Sequence, residues 1–181
     1  NADCLLEELR KINVKTYPMR LWNWRKGKFW LKIPGTMFRV YRLIREENID
    51  LVHSNEFWCN PYGVIAGKLF NRIPLVTHIR LDITPKKIKH YYLSKSDRIL
   101  CVSRATSELF RESGFMEKVE TIYNGLDLTK FDDYEARRVS FRNEFGYTDE
   151  HLVIGEIAQL DERKNQLKVL ELVPDLVRQY P

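Results

Sequence analysis

Short apolar runs recur along the chain at 50–52, 75–79, 98–102, 119–123 and 152–158, and the stretches between them have helical periodicity. Runs of this length alternating with helices predict βαβ units, hence a parallel sheet with helices covering both faces. The expected fold class is therefore α/β, a Rossmann-like parallel sheet with flanking helices. A helix over 3–10 and a strand over 14–19 are predicted ahead of this series. In 35–45, Met37, Val40, Tyr41 and Ile44 share one helical face while Arg39, Arg42 and Arg45 lie along another. Asn60 is placed to cap a helix that opens at Pro61, and Gly63 and Gly67 would let that helix pack closely on the sheet. Ser103 is a good N-cap for a helix running to Ser113, with Gly114 placed to stop it. Further helices are expected at 135–145 and 165–178. The polar stretch between the fourth and fifth apolar runs reads as a linker.

Length and composition narrow the class. The chain has 181 residues, 44% hydrophobic and 30% charged, enough to bury a core without disulfides or metals. Its longest uncharged run, 57–67, is far shorter than the roughly 18 residues of a membrane-spanning helix. No signal sequence is expected from the opening residues. Cys4, Cys59 and Cys101 are odd in number and no two are spaced C-x-x-C, which predicts a reducing compartment and no metal site.

The net charge of +5 is unevenly distributed. Between residues 9 and 45 there are eleven Lys and Arg and no acid, and the remaining 19 basic and 25 acidic residues net to −6. Inside the basic end, Trp22, Trp24 and Trp30 alternate with Arg25, Lys26 and Lys28. Indoles and cations together suit an anionic membrane surface, where rings enter the headgroup layer and cations meet the lipid charge. A nucleic-acid groove uses the same residue types and ranks below the membrane. The third reading is a structural one, tryptophans in a core and lysines in solvent.

In open parallel sheets ligands bind beyond the carboxyl ends of the strands. Asn55, His78, Arg80, Ser103, Asn124 and Gly125 follow or close the predicted strands, and polar and cationic groups gathered there suit an anionic ligand. Asn124-Gly125 reads locally either as a tight hairpin turn or as a strand-exit loop at a binding cleft.

Several segments together resemble the GT-B glycosyltransferases of family 4. Ile122-Tyr123-Asn124-Gly125-Leu126-Asp127 with Phe131 is similar to the family's I-x-N-G-(V/I/L)-D-x-x-x-F signature. Asp97-Arg98-Ile99-Leu100-Cys101-Val102-Ser103 resembles its D-x-(I/V)-(I/V)-x-V-S strand. Ile49-Asp50-Leu51-Val52-His53 and Ile73-Pro74-Leu75-Val76-Thr77-His78-Ile79-Arg80 resemble two earlier strands, and Ile154-Gly155-Glu156-Ile157-Ala158-Gln159-Leu160 through Lys164 resembles the opening of the donor domain. The resemblance implies an acceptor-side Rossmann-like domain at 1–130, a linker at 131–150, and at 151–181 the start of a second, nucleotide-sugar-binding domain. The family's glycine-rich first strand would precede Asp3, and its E-x7-E motif would lie beyond Pro181.

The activity implied is retaining transfer of a hexose from a UDP- or GDP-sugar to a lipid-linked or cell-surface polysaccharide acceptor, in a cleft between two domains at the cytoplasmic face of the membrane. The nucleotide-sugar is a substrate, and neither cofactor nor metal is implied. Lys164 matches the family lysine that holds the donor diphosphate. The family arginine falls on Gln159, with Arg163 a nearby replacement, and Arg80 stands where many relatives have histidine. Two other classes compete: a basic, aromatic module that binds anionic membrane or RNA without chemistry, and another GT-B enzyme such as a nucleotide-sugar epimerase.

Overall fold

The computed structural model describes residues 2–23 and 31–180; Trp24, Arg25, Lys26, Lys28 and Trp30 lie outside them. The chain divides into two compact units, 1–125 and 126–181. In the first, α1 (Ala2–Lys11) and α2 (Ile33–Glu46) precede β1 (Val52–Ser54). Helix α3 (Asn60–Tyr62) runs on as a π-helix over Gly63–Asn71 and leads to β2 (Leu75–Ile79). Then come α4 (Pro85–His90), β3 (Arg98–Cys101), α5 (Arg104–Glu108) and β4 (Val119–Thr121).

All four strands are parallel and lie in the order β1-β2-β3-β4. Each crossover therefore steps the same way, and right-handed connections stepping one way put their helices on one face. Burial follows: Leu75, Thr77, Ile79, Ile99 and Cys101 are sealed, while Val76, His78 and Leu100 on the opposite face are half-buried and His53 is exposed. The α/β Rossmann-like parallel sheet with flanking helices is as expected, with one face sealed more deeply than the other. Two apolar clusters form the core. One gathers Phe57, Ile79, Ile88, Leu93, Ile99 and Phe110, the other Met37, Ile44, Tyr62 and Ala66.

The expected strand at 14–19 is irregular backbone. Pro18 lacks an N–H for a ladder, and side chains pin the segment instead: Lys15 and Tyr17 donate to the Glu47 carboxylate. The backbone of Trp22 both donates to and accepts from the Tyr62 hydroxyl, at 3.1 and 2.9 Å.

Gly63 and Gly67 do seat the helix on the sheet. A Cβ at Gly63 would come within 2.6 Å of Leu75 Cδ1, and one at Gly67 within 3.0 Å of Val52 Cγ2. Asn60, by contrast, is no cap. It is the first residue of α3, fully buried, donating to the Tyr91 carbonyl at 2.9 Å and accepting from the Thr77 hydroxyl at 2.5 Å; Thr77 in turn meets Ser96 at 2.7 Å. A buried carboxamide needs partners on both ends, and this network supplies them while tying α3 to β2 and to the loop before β3.

The second unit holds a 3-10 turn at Leu128–Phe131, α6 (Tyr134–Glu144), a 3-10 turn at Glu162–Lys164 and α7 (Gln166–Gln179), which contains Pro174. No strand forms among its described residues; 152–158 is an apolar stretch without regular structure. A strand needs a hydrogen-bonded neighbour, and none is paired with this one.

Candidate functional site

Because the strands are parallel, their carboxyl ends lie along one edge of the first unit. At a spacing of ~4.8 Å per strand, the four exits form a row ~15 Å long. Asn55 follows β1, Arg80 follows β2, Ser103 precedes α5 and follows β3, and Asn124-Gly125 follows β4. Asn55, Arg80, Asn124 and Gly125 are exposed. Arg80 makes no hydrogen bond or ion pair with the described residues, so its guanidinium stands ready for an anion.

The hairpin reading of Asn124-Gly125 is overturned. Among the described residues β4 pairs only with β3, in parallel, and residues 122–127 continue as irregular backbone after Ile122 N–H donates to the Cys101 carbonyl at 2.9 Å. Ser103 caps α5 as expected, its Oγ accepting from Thr106 N–H at 3.1 Å and lying 3.0 Å from the Thr106 hydroxyl. That helix is shorter than predicted, since hydrogen bonding tightens after Glu108 into successive turns that end at Gly114, where φ is +80°. The Ser103 hydroxyl is thus already engaged in holding the turn.

His78 lies within β2, its ring stacked on that of His53 at 5.8 Å with the planes 20° apart. Its Nε2 is buried without a partner. Burial first, then the positive charge of Arg80 and the neighbouring His53, holds the His78 pKa below the usual imidazole range, so the ring is neutral at pH 7.

Behind this edge, Asp97 ties three elements. It pairs with Lys68 of the π-helix and accepts from Leu75 N–H at 2.9 Å at the start of β2. Burial opposes ionisation of its carboxyl, but Lys68 and the Leu75 N–H outweigh it and hold the pKa below normal. The sequence reading placed Asp97 in a strand signature without giving it this task.

In the second unit, Lys164 closes the 3-10 turn before α7 and is exposed, with no ion pair among the described residues. Asn165, in left-handed backbone at φ +59°, redirects the chain into α7. Arg163 is not a free cation: its guanidinium grips Asp161 in a two-point pair at 2.9 and 2.7 Å, which with the Arg163 N–H drives the Asp161 carboxyl far below the usual range. Gln159 is exposed and its carbonyl accepts from the Gln166 side chain at 2.8 Å.

Of the basic, aromatic stretch, Trp22 is described. Arg20 and Lys32 lie over its indole at 4.2 and 4.5 Å. No group of metal-ligating side chains occurs among the described residues, and none of their helices is long and apolar enough to cross a membrane.

A family model described as Glycosyltransferase Family 4 matches residues 3–130, which include β1 to β4 and every strand-exit residue named above. No curated protein matches the chain.

Proposed function

Since the chain belongs to glycosyltransferase family 4, we propose that it transfers a hexose, with retention of configuration, from a UDP- or GDP-sugar to a lipid-linked or polysaccharide acceptor. The supporting observation is the unpaired, exposed Arg80 at the carboxyl edge of a parallel sheet whose last strand leads into Asn124 and Gly125, in a chain matched over 3–130. In this reading Arg80 and Asn124 bind polar or anionic groups of the substrates, and the bare backbone at Gly125 admits them closely.

Lys164 carries the electrostatic part. Breaking the sugar–phosphate bond places new negative charge on the departing diphosphate. An ammonium beside the N-terminus of α7 stabilises that charge most in the transition state, which is what lowers the barrier. Arg163, held by Asp161, positions the turn that carries Lys164.

The test is turnover of UDP- and GDP-sugars by the natural protein, with the anomeric configuration of the product read by NMR. Lys164→Ala should lower turnover on the order of 10²-fold, the scale of losing one preorganised charge-stabilising group, and Arg80→Ala should weaken substrate binding. Unchanged turnover and donor affinity in Lys164→Ala would refute the assignment, and an inverted product would refute retention.

A further inference from the structure

We propose that the outward face of α2, together with the end of the π-helix, is a docking surface for an anionic lipid bilayer. It goes beyond the glycosyl-transfer reading and does not depend on it. In α2, Met37 and Ile44 turn inward and are buried, whereas Phe38 is 58% exposed. At ~100° per residue, Arg42 and Arg45 fall within about 40° of Phe38 on the same stripe, and Pro34 lies one turn before it. Phe38 stacks on Tyr41 at 6.2 Å, and Tyr41 meets Phe70 edge-on at 6.1 Å. Phe70 is 64% exposed and its neighbour Leu69 is 61% exposed. Pro34, Met37, Phe38, Tyr41 and Phe70 line an apolar groove of about 430 Å³.

The charge around this apolar surface selects its occupant. Residues 31–45 carry Lys32, Arg39, Arg42 and Arg45 and no acid. Arg39 has no ion-pair partner among the described residues, and Arg45 donates to the Tyr41 hydroxyl at 3.1 Å, which keeps a cation at the rim of the aromatic cluster. Arg42 pairs with Glu46 across one exposed turn, a contact that screening leaves weak. Aromatic rings projecting from a cationic rim match the headgroup layer of an anionic bilayer: rings enter the acyl boundary and guanidinium groups remain among the phosphates. A pocket for one small anion would need converging donors, and here the cations are spread along the stripe.

The test is co-sedimentation of the full chain with vesicles of phosphatidylcholine alone or with about 30% phosphatidylglycerol. We expect binding to the anionic vesicles only, weakened at least about fivefold when salt is raised until the Debye length falls from ~10 Å toward 3 Å. Phe38→Ala with Phe70→Ala should lower the partition coefficient about tenfold. Arg39→Gln with Arg42→Gln should lower it by a similar factor and flatten the salt dependence. Phe38→Trp should retain binding, and circular dichroism and Tm should match the parent in every variant, since both rings are exposed. The proposal is overturned if the parent ignores anionic vesicles at low salt, if both paired variants bind as the parent does, or if the aromatic variant instead abolishes a self-association seen by sedimentation without vesicles. Donor binding, measured in the same variants, should be unchanged, which separates this outcome from failure of the catalytic reading.

Discussion

At the scale of single residues, two titratable groups each make stability fall as pH falls, in two separate ranges. Asp97 is ionised and held by Lys68 and the Leu75 N–H, with a folded pKa below its unfolded value. Its contribution is therefore present above the ordinary carboxylate pKa, about 4, and is lost as pH falls through the lower folded value. His78 is held neutral, again with a lowered folded pKa, but here the unfolded state alone gains the favourable charge. Stability drains as pH falls below the free imidazole value of about 6.5. Urea unfolding across pH should thus show two limbs. Asp97→Asn should cost stability at pH 7 and approach the parent below pH 4. His78→Gln should flatten the limb between pH 7 and 5 and leave the acid limb intact. If the two variants altered the same limb, the assignment of these groups would be wrong.

At the scale of elements, the fit between the π-helix and the sheet is decided by missing side chains. Gly63 has ordinary helical backbone, φ −62°, so Gly63→Ala should gain helix propensity of up to about 1 kcal/mol. The new methyl would instead meet Leu75 at 2.6 Å, and crowding in a packed core costs about 1–3 kcal/mol. A net loss is expected. Gly35 in α2 is the control: a Cβ there meets nothing within 4 Å, and Gly35→Ala should stabilise by about 0.5–1 kcal/mol. Chemical denaturation of both variants checks the contrast, and a stabilised Gly63→Ala would contradict the close approach. Gly63, Gly67 and the four strands of the first unit were legible in the sequence because apolar periodicity and small residues are local signals. Asn60 was not, since cap and buried hub look alike until Thr77 and Ser96 are brought to it by a strand and a loop distant in sequence. The strand expected at 152–158 shows the same limit from the other side, an apolar run whose pairing partner its own residues cannot supply. At the candidate site, Arg80 and Lys164 were legible as cations after a strand and before a helix. The capture of Arg163 by Asp161 was not foreseen, although the two residues stand only two positions apart.

At the scale of the whole molecule, the two units differ in how they are held together. Among the described residues every buried apolar side chain falls between Met37 and Phe110, and none of 126–180 is buried. Within the second unit, α7 and residues 152–154 line an apolar groove of about 550 Å³ that stays open to solvent. Burial of apolar surface is the main source of stability, and local opening is easiest where little is buried. Native-state hydrogen exchange should therefore divide at about Gly125. The amides of β2 and β3, sealed between neighbouring strands, should exchange only through global unfolding. Those of α6 and α7 should exchange faster by at least about 10³-fold, a gap of roughly 4 kcal/mol in opening free energy. A donor nucleotide that binds Lys164 and the start of α7 would slow exchange there by mass action while leaving β2 and β3 unchanged. Uniform protection across both units would mean that the second draws its stability from contacts outside its own fold.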